Sequence, residues 1–228
     1  MTCQRIKEEY IIPNKRLGRH IEHDERSKEW AYRVTQKPKL RGVRHRLYGE
    51  PLNQGNLGSC TGNAVCGALN TTPLHVAGSK LLGEEDAVAV YSLATNIDDF
   101  RGQYPPDDTG SSGLAAAKAA QQKGLITEYR HAFGIDDALG ALMERAVITG
   151  VPWYEGFDNP NDFGHVKIEG QVRGGHEFVV LGYEISAKCI IALNSWGYGW
   201  GIRGRFRFSI PDWTRLLEEQ GDVTILIK

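Results

Sequence analysis

The 228-residue chain is poor in the features that mark specialised classes. It has four cysteines, two methionines and a formal net charge of only −1. Its apolar stretches, such as Phe178-Val179-Val180-Leu181, fall far short of the ~20 residues a membrane-spanning helix needs. Cys3, Cys60, Cys66 and Cys189 are too few for a disulfide framework, and their spacing does not match a zinc site. They read as thiols in a reducing compartment. The first residues, Met1-Thr2-Cys3-Gln4-Arg5, lead into charge rather than an apolar core, so no secretory signal is expected and the expected location is cytoplasmic. At 41% hydrophobic and 24% charged residues, disorder and low-complexity classes are excluded. The length suits one large domain or two lobes.

The near-neutral total hides an asymmetry. Residues 1–49 hold 13 Lys and Arg against 6 Asp and Glu, whereas residues 50–228 hold 14 against 22. A basic leader before an acidic body fits a nucleic-acid arm or a strap lying on its own domain. The mixed signs of the leader, and Ile11, Ile12, Trp30 and Tyr32 as packing residues, favour the strap. His20, His23 and Asp24 bring no further ligand into view, so no metal site is expected.

There is no internal repeat. Residues 41–58 read as an extended stretch rich in turn signals. Helical spacing of small and apolar residues predicts helices over Cys60–Leu69, with Ser59 as its cap, Glu84–Asn96, Gly113–Lys123, stopped by Gly124, and Asp136–Arg145. Strands are predicted at Val147-Ile148, Glu177–Tyr183, Cys189–Leu193, Arg205–Ile210 and Val223–Ile227. Helices first and strands second argue for an α+β fold with two segregated lobes and a cleft between them.

Three segments carry chemistry. In Gln54-Gly55-Asn56-Leu57-Gly58-Ser59-Cys60, a cysteine opens a helix, where unpaired N–H groups and the helix dipole stabilise a thiolate. Gln54 offers an amide donor for a developing oxyanion beside the Cys60 N–H. In Gly174-Gly175-His176-Glu177, a histidine stands at the mouth of an apolar strand, a rigid mount for a general base. In Asn194-Ser195-Trp196-Gly197, an amide closes a strand. Its oxygen can fix an imidazole tautomer, with Trp196 keeping water from that bond.

Together these segments resemble the papain family of cysteine peptidases. The order Gln, Cys, His, Asn is retained and Asn194-Ser195-Trp196-Gly197 matches the family motif, over about residues 40–228. The resemblance implies a papain-like two-lobe fold: a catalytic domain over 41–228, with a helical lobe at about 50–135 and a trimmed β-barrel-like lobe at about 136–228, behind a leader at 1–40. It implies Cys60 as nucleophile, His176 as base and then acid, Asn194 as its orienting partner, and Gln54 with the Cys60 N–H as oxyanion hole. The resting pair is expected as thiolate and imidazolium, and the reaction as acyl transfer through a thioester. No cofactor is implied. A peptide or protein is the expected substrate, with no membrane or nucleic-acid partner, and no surface pattern fixes an oligomeric state.

Substrate contacts are expected from Gly110, Ser111, Gly150, Gly175, Glu177 and Trp196. Gly110-Ser111 stands where the family offers a Gly-Gly backbone to the substrate strand. The sequence also departs from the family. Cys60 and His176 are 116 residues apart, below the usual ~130–150. Leu57 replaces a cysteine that secreted members pair in a disulfide, and Thr61 replaces a tryptophan. Glu177 stands where alanine is usual, and Gly150 is expected on the facing wall. That combination predicts a roomy acidic pocket for Arg or Lys at the second residue before the scissile bond, unless Glu177 pairs with Arg173. The leader lacks the long helical pattern of the family's prosegments, yet its charge suits a strap across an acidic cleft. Cys66 and Cys189 are expected in the core. Amidase, isopeptidase or transpeptidase chemistry on a conjugate, and a silent peptide-binding module, are the alternative functions.

Overall fold

The structure, a computed structural model, describes the backbone of residues 2–4 and residues 15–228. Along the chain come β1 (Thr2–Gln4), β2 (Ile21–His23), a 3₁₀ turn at Glu25–Trp30, β3 (Ala31–Tyr32), β4 (Val43–Arg44), α1 (Cys60–Leu69), α2 (Glu84–Ile97), α3 (Gly113–Gln122) and β5 (Glu128–Ala132). There follow α4 (Ile135–Glu144), β6 (Val147–Tyr154), β7 (Val172–Glu184), β8 (Cys189–Leu193), β9 (Arg205–Ser209), α5 (Ile210–Glu218) and β10 (Asp222–Ile227). The class is α+β. No helix among the described residues is long and apolar enough to cross a membrane.

All ten residues of α1 are buried. Small residues make that possible. A Cβ on Gly62 would lie 3.0 Å from the Tyr91 backbone N and collide with the Ala87 carbonyl, so Gly62 lets α2 press directly on α1. On another face Gly67 meets Val179 of β7. Ser59 occupies the cap position, but its hydroxyl donates to the Asn63 Oδ1 at 2.8 Å instead of accepting from the helix backbone. The α3 helix is alanine-rich and capped by Ser112, whose hydroxyl accepts from the Ala115 N–H. Gly124, at φ +68°, ends it in the left-handed conformation that only glycine adopts without strain.

Eight strands form one sheet in the order β3-β5-β10-β6-β7-β8-β9, with β4 paired to β7, while β1 and β2 form a separate antiparallel pair. Its central strand β7 is buried on both faces, which explains the unbroken Phe178–Leu181 run. Phe178 and Val180 face a core with Trp153, Phe157, Phe206 and Trp213. Val179 and Leu181 face a second core with the alanines of α3 and one side of α1. Cys66 and Cys189 are buried, and burial pushes the Cys66 thiol up to about 12.

Several elements extend beyond the sequence expectations. The strand at 147–148 runs on to Tyr154, and β5 and α5 are additional. A reciprocal Ser209–Asp212 capping box with Pro211 at the first turn is the local signal for α5. The leader contributes the β1–β2 pair and β3, parallel to β5, and the stretch just after it contributes β4. Tyr32 packs half-buried and donates to the Glu144 carboxylate at 3.0 Å, but Trp30 is 60% exposed rather than packed. Ile11 and Ile12 lie outside the described residues.

Candidate active site

Cys60 is the first residue of α1, and α1 packs against β7, the strand that carries His176. Asn194 follows the last residue of β8. Its Oδ1 lies 2.7 Å from the His176 Nε2 and also accepts the Ser195 backbone N–H at 2.8 Å. An amide oxygen only accepts, so Nε2 carries the proton and the other ring nitrogen, Nδ1, holds the lone pair. Nδ1 is buried and has no hydrogen-bond partner among the described residues.

Aromatic rings enclose the imidazole. Trp153 stands edge-on with ring centroids 4.7 Å apart, and Trp196 lies 5.1 Å away. Burial holds the imidazolium form at bay, lowering the His176 pKa to about 3 against a small opposing effect of Asn194. Gln54 joins the nucleophile loop to the asparagine loop. Its backbone N–H donates to the Ser195 carbonyl at 2.9 Å and its Oε1 accepts from the Ser195 hydroxyl at 2.6 Å. Its Nε2 donates one proton to the Leu57 carbonyl at 2.7 Å, leaving the second N–H of the amide.

The groove beside these residues is filled by the chain's own leader. Gly18 and Arg19 N–H groups reach the Gly175 carbonyl at 3.2 and 3.0 Å. The Ser111 N–H donates to the Gly18 carbonyl and the Ser111 carbonyl accepts from the His20 N–H, both at 2.8 Å. Arg19 therefore pairs with Ser111 in a parallel bridge. Gly18 comes so close to the nucleophile loop that a Cβ on it would lie 2.7 Å from the Gly58 Cα and nearer still to its carbonyl. Leu17 is buried in the aromatic core, and the Trp196 Nε1 donates to the Arg16 carbonyl at 3.2 Å. Arg16 pairs with Asp108 at 3.3 Å, and Lys15 reaches Asn159.

The Arg19 side chain enters a pocket built by strand register. Asp222 of β10 stands opposite Gly150 of β6, and Gly150 stands opposite Glu177 of β7. Two carboxylates thus flank a glycine across three strands. A Cβ on Gly150 would lie 2.5 Å from the Glu177 Oε2 and 2.6 Å from the Arg19 Nε, so only glycine leaves room for the guanidinium. The Arg19 Nη2 pairs with Asp222 and donates to the Gln220 carbonyl at 2.8 Å, while Nε lies 3.9 Å from Glu177. Glu177 is fully buried and neither oxygen has a hydrogen-bond partner among the described residues. Burial, with a further push from Asp222, raises its pKa well above the usual carboxylate value against the pull of Arg19. Arg173 does not pair with Glu177. It forks onto Asp158 at 2.9 and 3.0 Å.

Asp222, Trp153 and Arg19 went unmarked in the sequence, because only strand register and folding bring them to the site. His20 and Asp24 take separate roles, and His23 stands opposite Thr2 in the β1–β2 pair. His20 stacks on Phe100, while Asp24 caps the 3₁₀ turn and holds Arg26. Among the described residues no group of three His, Cys, Asp or Glu side chains is arranged to hold a metal.

No family model matches the chain. Over 114 residues it is 31% identical to a cathepsin B-like protein, CP3, of Giardia intestinalis, a match covering 46% of this chain. The chain spans about two fifths of that relative's length, at 38%. Among solved structures it is similar to xylellain, a cysteine protease from Xylella fastidiosa, with a TM-score of 0.75 and 16% identity over 99% of this chain and 98% of the other. It is similar to digestive procathepsin L 3 of Tenebrio molitor larval midgut, with a TM-score of 0.66, 15% identity and coverage of 94% and 76%. A Carica candamarcensis cysteine protease in complex with E-64 gives a TM-score of 0.55 and 19% identity, covering 79% of this chain and 93% of that one. The fold is the papain-like cysteine-protease fold.

Proposed function

We propose that this chain is a cysteine peptidase of papain type that its own leader holds closed. The observation that carries this reading is the buried 2.7 Å bond between the His176 Nε2 and the Asn194 Oδ1, which leaves Nδ1 as the basic nitrogen. Cys60 Sγ attacks the scissile carbonyl as a thiolate, its proton having passed to His176 Nδ1. The second Gln54 N–H and the Cys60 backbone N–H stabilise the oxyanion. His176 then returns its proton to the leaving amine, and a thioester remains on Cys60. Water, deprotonated by His176, hydrolyses the thioester and restores the site.

The Glu177–Gly150–Asp222 pocket takes the second residue before the scissile bond and prefers arginine. Arg19 supports this, because it is an arginine in that pocket with its guanidinium between both carboxylates. The direction of the strap matters equally. A substrate with its second residue in this pocket must continue C-terminally towards Cys60. The strap instead approaches the nucleophile loop with residues N-terminal to Arg19, through Gly18 against Gly58. Its peptide bonds therefore run the wrong way for attack, and it blocks the groove without being a substrate.

The test is intact mass after treatment with a peptidyl epoxide, on the native chain, Cys60→Ala and His176→Ala, each also carrying Arg19→Ala. One adduct that vanishes in Cys60→Ala and slows by roughly 10²–10⁴-fold in His176→Ala supports the reading. No adduct in any Arg19→Ala chain that still folds rejects it. A library profile in Arg19→Ala that favours aliphatic residues in the second position rejects the pocket assignment alone.

A further inference from the structure

Away from the groove, four arginines gather around one cavity, three from the acidic body and Arg44 from the basic stretch before it. Strand register sets out the row: Arg44 of β4 stands opposite Gly182 of β7, Gly182 opposite Ile191 of β8, and Ile191 opposite Arg207 of β9. Arg205 lies two residues before Arg207 and so on the same face of β9. Arg203 precedes it in a turn, at φ +54°, with its guanidinium 6.0 Å from the Tyr198 ring. These four arginines line a cavity of about 460 Å³ with Ile191 and Ile202 among its apolar walls. That volume falls in the range of small-molecule sites.

The charges around this cavity are poorly balanced. Glu184 pairs with Arg207 at 3.5 Å, and Glu50 attracts Arg205. Arg207 also donates to the Phe163 carbonyl, and the Arg205 Nη1 to the Arg203 carbonyl at 2.8 Å. The Arg205 Nε is buried with no acceptor among the described residues. Burial lowers the Arg205 pKa, and the neighbouring Arg44 and Arg203 add to that effect. Four arginines against the two carboxylates Glu50 and Glu184 leave the cavity with a positive balance, which favours an anion. Guanidinium forks match the oxygens of phosphate groups in pairs.

We propose that the cavity lined by Arg44, Arg203, Arg205 and Arg207 binds a small anion carrying at least two phosphate groups, of the pyrophosphate class. One phosphate alone would leave much of the cavity and some of the arginines unused. The site shares no residue with the peptidase machinery and does not depend on that reading.

The test is calorimetric titration of the full chain with inorganic pyrophosphate, then with inorganic phosphate and with chloride, at constant ionic strength. The chains are native, Arg44→Gln and Arg205→Gln, with melting temperature as the check on folding. Arg44 is exposed, so its replacement leaves the fold intact even if Arg205→Gln does not. The expected result is saturable binding of one pyrophosphate, tighter than phosphate, and weakened roughly tenfold or more by Arg44→Gln. Equal binding in native and Arg44→Gln chains, or a response that chloride reproduces at the same ionic strength, overturns the proposal.

Discussion

Replacing Arg19 with alanine separates a latch from a bystander. Arg19 is 1% exposed, and its guanidinium is the one cation between Glu177 and Asp222 among the described residues. Removing one partner from a buried ion pair is destabilising by about 3–5 kcal/mol, because the remaining charge stays desolvated. Here Glu177 can take up a proton and water can enter the emptied pocket, so the lower figure applies to the docked strap. About 3 kcal/mol corresponds to roughly a hundredfold shift towards the open groove. The readout is the second-order rate at which a small uncharged epoxide labels Cys60, which requires the groove to be clear. Arg16→Ala serves as the contrast. Its bond to Asp108 is partly solvated, with side chains 17% and 26% exposed, and pairs of that kind contribute up to about 1 kcal/mol. Arg19→Ala should therefore label about two orders of magnitude faster than native, and Arg16→Ala within about fivefold of it. Equal rates for the two variants, with both chains folded, would refute the argument that the buried pocket holds the strap.

Gly18→Ala places a methyl against the Gly58 backbone and should also speed labelling, without altering the pocket for arginine; unchanged labelling would show that the strap shifts to make room. Acid should loosen the strap through His176. Burial lowers its pKa from the ordinary 6.5 to about 3 in the covered state, so wherever opening relieves that burial the covered state binds fewer protons and loses stability as pH falls towards 3. Glu177 opposes this, since a raised carboxyl pKa favours the covered state at low pH and disfavours it as pH rises above 4.5. Glu177→Gln removes that opposition, and amide hydrogen exchange over residues 18–20, corrected for intrinsic rates, should then quicken with acid. Slower exchange in acid would contradict the sign. Gly62→Ala forces backbone contacts between α1 and α2 and should lower stability by about 2–3 kcal/mol in a denaturant titration. A change below 0.5 kcal/mol would mean that α2 shifts freely.

The catalytic candidates were legible because each sits in a short segment whose local structure defines its chemistry: Cys60 opening a helix, His176 on a strand, Asn194 closing one. Alternation and helical spacing located most of the long elements for the same reason, since their burial is written in neighbouring residues. The pocket was only half legible. Glu177 adjoins the histidine and stands out, and the family resemblance points to Gly150, but Asp222 reaches them only through the pairing of β10 with β6. Nothing near Asp222 in sequence distinguishes it from any carboxylate at a strand end. The short strands before α1 were invisible because two or three residues have no period. β3 and β4 exist because β5 and β7 offer them edges, and β1 and β2 because they pair with each other.

Those same pairings decide how the leader can be tested. Residues after the strap are built into the main fold: β3 extends the sheet from β5, the Val34 N–H donates to Asp137 at 2.9 Å, and Val34 covers the space over Gly140. Arg41 donates to the Met143 carbonyl and β4 pairs with β7. A chain beginning near Lys39 loses the strap together with β3 and the Val34 contacts, so a fall in its stability says nothing about restraint. A chain beginning at Asp24 loses residues 1–23 but keeps the 3₁₀ turn, β3 and Val34. If the groove segment acts as a flap hinged before this anchored stretch, the chain from Asp24 should label Cys60 at least as fast as Arg19→Ala. It should also melt within a few degrees of it, while the chain from Lys39 melts lower. If both truncated chains melt alike and label no faster than native, the groove segment contributes to folding and not to closure.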